Sequence, residues 1–470
     1  FDSVAAATSL SMTILFILLL SLSSPAFAQG EAAGMPAGRP KNQKRPMGSP
    51  SGAVAAQDQS ATNPNQTVVL LCGSLLDVNT GQLRQHVAVT IHGNKIESLN
   101  GAAPEKTEAP PTIDLRNSTC LPGLIDAHTH TMLNGDITAE DYDVQLLKQS
   151  DPYRAIVATR NVEWELNRGF TTIRDVETEG AGYSDVDLKT AINRGIVPGP
   201  RMVVATRALD VTGAYPLSGY NWQIEVPHGL QFCDGAEDCR KAVREQTGHG
   251  ADWIKVYVDR SYYVENGVLK DIPTFTPEEL AAIVDEAHRE HHKVAAHAMA
   301  LYGVHNAVTA GVDSIEHGDY IAPEDMAVMK QKGIWYVPTM FVGEYVAHGR
   351  AQAGAPVWEQ MVQINGETFK RAMQEGIKIA FGTDVGGFDW SVNPAKEFEV
   401  RTKWGQSPAA AIRSATIDAA TLLDMQNRIG SIEPGKLADI IAVPGDPLTD
   451  ITVLEKVNFV MKDGTVIKKP

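Results

Sequence analysis

The sequence predicts an α/β fold: a (β/α)8 TIM barrel with a small β-sandwich domain built from both termini. Between residues 121 and 425, short apolar runs alternate with longer helical patterns, the texture of parallel β/α units. Eight such runs are counted, and the stretch from the first strand end at His128 to the last at Asp384 covers 256 residues, close to the roughly 250 of a typical barrel. On either side, residues 67–120 and 426–470 read as short strands broken by tight turns, so the two ends of the chain are expected to combine into one domain.

In chain order the first element is "MTILFILLLSL", Met12 to Leu22. It is too short to span a bilayer and is followed by Ala26-Phe27-Ala28, which fits the apolar core and small-residue cleavage site of a secretory signal peptide over residues 1–28. No Lys or Arg precedes the run, and an uncleaved anchor is the alternative. Residues 29–66 are Gly, Pro, Ala, Gln and Ser with scattered charge; they cannot bury a core and read as a flexible linker. The first half of the terminal domain follows, its strands punctuated at Asn79-Thr80-Gly81 and Gly93-Asn94. The second half carries turns at Pro444-Gly445-Asp446 and Asp463-Gly464.

The eight barrel strands are expected at 124–130, 170–176, 201–206, 253–258, 293–298, 312–317, 334–339 and 377–384. Helical stretches intervene, such as "TPEELAAIVDEAHREH", where Thr276 caps and Glu279 completes a capping box.

Composition is that of a globular protein: 470 residues, 43% apolar and 21% charged. The formal net charge of −16 becomes −15 once Asp2 leaves with the signal peptide, and an acidic surface argues against nucleic acid or an anionic membrane as partner. In an exported chain "CDGAEDC" fits a small disulfide loop between Cys233 and Cys239, while Cys72 and Cys120 lie in apolar runs and read as buried thiols.

In barrels of this kind the active site lies at the C-terminal ends of the strands, so a polar residue ending an apolar strand carries information. His128 and His130 end the first strand, Lys255 sits in the fourth, His297 ends the fifth, His317 the sixth and Asp384 the eighth. A single strand-end histidine is more often a satisfied core residue than a ligand. Six donors on one rim differ, because they would repel or stay unsatisfied unless cations lay between them. Lys255, inside "DWIKVYV", has the wrong charge for such a cluster and is costly to bury. Its neutral amine can react with carbon dioxide to give a carbamate, an anionic group with two oxygens.

With "PGLIDAHTH", "AHAMALYGVHNAVTAGVDSIEHG" and "GTDVGG" in this order, the sequence resembles the amidohydrolase superfamily of metal-dependent hydrolases from about Thr67 to the C-terminus. The His297–Gly318 block most resembles the imidazolonepropionase-related branch, which includes prolidase-like Xaa-Pro dipeptidases, carboxypeptidases acting on dipeptides and ochratoxin-hydrolysing amidases. The resemblance implies two divalent metal ions, zinc by donor type, with His128, His130 and Asp384 holding one, His297 and His317 the other, and carboxylated Lys255 bridging them. Asp126 would support a histidine or the local backbone. Many peptidase-like relatives carry a His-containing Gly-rich stretch after the third strand; here it is "VTGAYPLSGYNW", with Tyr215. Of the aromatic residues near strand ends, Tyr220, Trp222, Tyr262, Tyr263, Phe388 and Trp390 read mainly as packing. Tyr257, on the same strand face as Lys255, is the candidate hydrogen-bond donor to a substrate carbonyl or carboxylate.

The implied function is hydrolysis of an amide, peptide-like bond in a small substrate by a metal-bridging hydroxide, with Asp384 taking the water's proton and returning it to the leaving nitrogen. A cyclic amide, a lactone or a phosphotriester on the same site is the alternative, and a non-catalytic metal- or solute-binding protein is the alternative of another class. The chain is expected to be secreted or periplasmic, without a stable membrane anchor after cleavage. A small-molecule or dipeptide-like substrate is the expected partner, and assembly into a homo-oligomer is left open.

Overall fold

The computed structural model describes residues 66–100, 112–215, 217 and 219–470. The expected signal peptide, and all of the expected linker except Gln66, lie outside them. Strand β1 (Thr67–Asp77) turns back into β2 (Gln82–His92) through the Asn79-Thr80-Gly81 corner. The Asp77 carboxylate accepts the Asn79 and Thr80 N–H groups at 3.0 and 3.2 Å, and Gly81, at φ +72°, takes the left-handed position. β3 (Lys95–Asn100) runs antiparallel to β2, and β4 (Thr112–Pro122) pairs parallel with β1.

The central region begins with β5 (Leu124–Thr129), β6 (Phe170–Asp175) and β7 (Arg201–Val204), which pair parallel. Next come β8 (Leu209–Asp210), β9 (Gln231–Phe232) and β10 (Trp253–Tyr257). The hairpin of β11 (Asp259–Glu265) and β12 (Val268–Pro273) follows β10, and then β13 (Lys293–Ala298), β14 (Ser314–His317) and β15 (Trp335–Val337). One sheet has the order β15-β14-β13-β10-β8-β9, and its core pairs are parallel.

Asp252 N donates to Val204 O at 2.7 Å, tying the β7 edge to the approach to β10. The eighth expected strand, 377–384, has no strand of its own; it makes an isolated bridge at Ile379, and the next residue, Val385, makes others. It still bonds to both neighbours: Tyr336 N to Lys378 O at 2.8 Å on one side, Ala127 N to Phe381 O at 2.9 Å on the other. β5 and β6 are buried along their whole length, as expected of parallel strands covered on both faces. One interior cluster takes Ile125 and Ala127 from β5, Val203 from β7, Trp253 from β10, Ala295 from β13 and Val337 from β15.

The C-terminal strands β16 (Ile440–Pro444), β17 (Phe459–Lys462) and β18 (Thr465–Lys468) return to the first four, β16 pairing antiparallel with β4. Hydrogen bonding makes one seven-stranded sheet of the two termini, ordered β18-β17-β16-β4-β1-β2-β3. Helix Pro277–Arg289 starts with the expected box: Thr276 Oγ1 accepts Glu279 N, and Glu279 Oε2 accepts Thr276 N at 2.8 Å.

Cys233 and Cys239 form the expected disulfide. Cys72 and Cys120 are not the buried thiols that their apolar surroundings suggested; they are also bonded, Cα to Cα 5.9 Å. The reason is non-local, since the parallel pairing of β1 with β4 sets two cysteines 48 residues apart side by side in one core. Closing so long a loop stabilises a fold by about 2–4 kcal/mol. Thiol titration of denatured, unreduced protein should find no free thiol, and the double variant Cys72→Ala/Cys120→Ala should lose stability of that order in urea unfolding. Two titratable thiols would contradict the second bond.

Candidate metal centre and active site

His128 and His130 alternate along the end of β5, and their rings lie 5.3 Å apart. The His317 ring, at the end of β14, is 4.9 Å from that of His128 and 4.6 Å from that of His297 at the end of β13. Asp384 reaches in from the 377–385 segment, its Oδ1 3.1 Å from His130 Nε2 and 3.6 Å from His128 Nε2. Lys255, in β10, is fully buried; its Nζ has no hydrogen-bond partner and sits 5.2 Å from the Tyr257 ring centre. The six expected donors therefore gather on one side of the parallel strands, the histidines at their C-terminal ends, Lys255 within β10 and Asp384 on the strandless 377–385 segment. A cavity of about 490 Å³ opens above them, lined by His130, Tyr257, His297, His317 and Asp384 among others.

The donors do not group evenly. Ligand atoms of His128, His317 and Asp384 come within 4.8 Å of one another, as do those of His130, Glu177 and Glu179. His297 joins neither group; its Nε2 is 2.8 Å from the Tyr262 hydroxyl, which itself donates to Asp259 Oδ1.

Local backbone holds this arrangement under strain. Asp384 and His317 take left-handed φ values of +61° and +70°, unusual for residues with a Cβ. Asp384 N donates to His128 O at 2.8 Å. Asp126 supports backbone rather than an imidazole: its carboxylate accepts His128 N, Thr383 N and Thr383 Oγ1, binding the "DAHTH" and "GTD" segments together. Gly386 is required, since a Cβ there would lie 2.5 Å from His130 O and its φ is +110°.

Beneath the histidines a buried charge line crosses three strands. Arg174 Nη2 meets Glu316 Oε1 at 2.7 Å, and Glu316 Oε2 meets His128 Nδ1 at 2.7 Å, all without solvent exposure. Burial would raise Glu316, but the Arg174 charge and the His128 hydrogen bond outweigh it and hold the carboxyl well below the usual range. Burial lowers His128 to about 4, so its ring is neutral at physiological pH. With Nδ1–H given to Glu316, the lone pair is on Nε2, which is buried and has no partner.

His317 repeats the pattern, with Nδ1 2.7 Å from Thr339 Oγ1, and burial holds both His317 and His297 well below the ordinary imidazole value. Burial likewise lowers Lys255 and would lower His130, but the Asp384 hydrogen bond and the Glu179 charge raise His130 to about 9. For Asp384, burial acts upward and is outweighed by the hydrogen bond and charge of His130, leaving it far below the usual carboxylate range.

Three sets of residues at the site were not expected from the sequence. Glu177 and Glu179 follow β6 and are buried, and the strand-end criterion that found the histidines applies to them equally. Glu316 and Arg174 lie within fully buried strands, each beside an isoleucine, and pair with one another there. Tyr262, read from the sequence as packing, contacts His297 through its hydroxyl, and Thr339 orients His317; only the folded geometry shows these roles. Tyr257 lines the cavity, yet its hydroxyl donates to Glu177 Oε2 at 2.8 Å. Tyr215 also lines the cavity, its ring 5.2 Å from that of Tyr257; Phe388 and Trp390 are core, whereas Tyr220, Trp222 and Tyr263 are exposed.

Residues 119–467 match the amidohydrolase family. The chain is 30% identical over 467 residues to an ochratoxinase of Aspergillus niger, across 91% of this chain and 90% of that one. It is similar to the crystal structure of a Xaa-Pro dipeptidase with methionine bound in the active site, at TM-score 0.78 and 34% identity, covering 86% of this chain and 100% of the other. A prolidase complexed with N-methylphosphonate-L-proline gives TM-score 0.76 and 30% identity over the same shares of the two chains. With these neighbours the fold is α/β and TIM-barrel-like.

Glu316→Gln should destabilise the protein by about 3–5 kcal/mol in urea unfolding, because Arg174 would be left buried without a counter-charge. The double variant Arg174→Leu/Glu316→Leu should cost less than the single change. A loss under about 1 kcal/mol for Glu316→Gln would show that the line is not electrostatically coupled.

Proposed function

Since the chain belongs to the amidohydrolase family and is a hydrolase acting on carbon–nitrogen bonds, we propose that it is an exported two-metal enzyme cleaving an amide bond in a small peptide-like substrate. The observation that carries this is Lys255: a fully buried amine with no hydrogen-bond partner, among four histidines and an aspartate. As an unpaired ammonium it would cost several kcal/mol to bury. Burial instead favours the neutral amine, the form that adds carbon dioxide, and the resulting carbamate is an anion that two cations can share.

The family is generally metal-dependent, and the donor set suits metal ions: nitrogen and carboxylate groups, with the His128 Nε2 lone pair buried and unpartnered. His128, His130 and Asp384 would hold one ion, His297 and His317 the other, and carboxylated Lys255 both; nitrogen with oxygen donors favours zinc. When bound, such ions polarise a carbonyl and lower the pKa of water from about 15.7 towards about 7.

The protein's own groups do the rest. Glu316 and Thr339 fix the orientation of His128 and His317 through Nδ1, and Asp126 holds Asp384's segment against β5. Asp384, ionised throughout the working range, accepts the attacking water's proton and returns it to the leaving nitrogen. Leu133, Met299, Val342 and Val346 give the cavity apolar walls that displace water from the substrate.

The same reading takes the strands as a closed (β/α)8 barrel over 121–425 with a sandwich-like domain from 67–120 and 426–470. The bonds of segment 377–385 to β5 and β15 support the closure, and the register shift between Cys72 and Ser74 supports bending of the terminal sheet. Export is supported by two disulfides, bonds that persist in oxidising compartments.

Metal-loaded protein should hydrolyse small dipeptides or N-acyl amino acids and lose that activity to a chelator. Turnover of lactones or phosphotriesters with no amide turnover would overturn the reading. Asp384→Asn keeps a ligand oxygen but not the base, so kcat should fall by roughly 10²–10⁴ with metal content less affected. Turnover within a few-fold of wild type would require another base.

A further inference from the structure

Thr339 stands where the helix Met340–Gln352 takes its N-terminal cap, yet its side chain caps nothing. A threonine there ordinarily accepts one of the first free N–H groups of the helix. Its Oγ1 lies instead 2.7 Å from His317 Nδ1, and the residue is held at φ +42° and ψ +50°, left-handed values unfavourable for a β-branched side chain.

The cap comes from another element. Glu397, fully buried on the helix Lys396–Lys403, accepts Phe341 N at Oε2 over 2.7 Å. Phe341 is the second residue of its helix, and its N–H is one that a capping side chain normally receives. Glu397 is poorly explained as a counter-charge for the equally buried Arg401: the pair comes no closer than 4.0 Å, and among the described residues no nitrogen of that guanidinium has a hydrogen-bond partner. Burial also pushes Glu397 up to about 8, so the uncharged acid prevails at pH 7, and that form still offers an acceptor. Without this acceptor the Thr339 hydroxyl would be drawn to the free N–H groups of its own helix, and His317 would lose its hold.

We propose that Glu397 is a positioning residue for the metal centre: by capping the helix in place of Thr339, it frees the Thr339 hydroxyl to hold His317 Nδ1 and so aims His317 Nε2 at the cavity. This deepens the two-metal reading above, in which His317 is a ligand, and rests on it.

The test is zinc affinity of the full chain, measured by competition with a chromogenic chelator, together with 15N-histidine NMR of the metal-free protein. Glu397→Met, similar in size but without an acceptor, and Thr339→Val, which loses only the hydroxyl, should each weaken zinc binding by roughly 10- to 100-fold, the cost of losing a group that orients a metal ligand. The double variant should bind about as well as either single one, because both act through one imidazole. Glu397→Gln, which keeps the acceptor and drops the acid, should bind as the wild type does. Cys72→Ala/Cys120→Ala, destabilised in the terminal sheet, should also bind zinc normally. Without metal, His317 should be a single Nδ1–H tautomer in the wild type and Glu397→Gln, and a mixture in Glu397→Met. Should Glu397→Met not fold, Glu397→Asp, whose oxygens are drawn back by one methylene, takes its place with the same expected directions.

Wild-type zinc affinity in Glu397→Met or Glu397→Asp, additive losses in the double variant, or Glu397→Gln binding as poorly as Glu397→Met would each overturn the proposal, the last by making Glu397 the counter-charge of Arg401. Failure of the two-metal reading has a different signature: no zinc bound even by the wild type, with the His317 tautomer still following residue 397. A tautomer indifferent to that residue would overturn the positioning role itself.

Discussion

Arg174, Glu316 and His128 form a hydrogen-bonded line with no solvent contact, running from β6 through β14 to β5. The guanidinium also donates to Ala127 O at 2.6 Å and to Ser314 Oγ at 3.1 Å, and its carbon lies 4.4 Å from the Trp253 ring centre. Four strands are thereby pinned by one cation. Removing either charge would leave the other in a medium where it cannot be solvated, so the line is stable only when complete. Its far end is a histidine whose tautomer it dictates, and in this way the packing of the interior becomes the chemistry of the rim.

A second layer acts on the backbone. Asp126 collects three donors from two segments, and those bonds keep Asp384 at a left-handed φ beside His128 and His130. A strained position persists only when its surroundings over-determine it. Segment 377–385, bonded to β15 on one side and β5 on the other, therefore serves the placement of one carboxylate, which accounts for its irregular pairing where a regular strand was expected. Glu179 extends the same economy: its Oε1 lies 3.4 Å from His130 Nδ1, and the residue lines the cavity.

Much of this was legible in the sequence because it is periodic or terminal. Alternation at 124–130, the apolar runs at 8 places and the box at Thr276 are local patterns, and local patterns survive without the fold. What could not be read is what the fold brings together. The Cys72–Cys120 bond depends on a parallel pairing across 48 residues. Glu316 is a charge inside a strand, intelligible only opposite Arg174. The β11–β12 hairpin was signalled by Asn266-Gly267, whose positive φ values suit a tight hairpin turn, but the β/α rhythm around it masked the signal. Glu177 and Glu179 met the strand-end rule, yet "DVETEG" has the composition of a solvated loop.

The central claim is that Lys255 is neither an ordinary buried lysine nor a structural ion pair but, once carboxylated, the shared ligand of two cations. Elemental analysis after zinc reconstitution, with and without bicarbonate, in the wild type and in Lys255→Ala, tests it most directly. Two ions per wild-type chain, more completely loaded with bicarbonate, and at most one in Lys255→Ala until formate or acetate is supplied, is the result this account predicts. Two ions per chain in Lys255→Ala without any added carboxylate would contradict it.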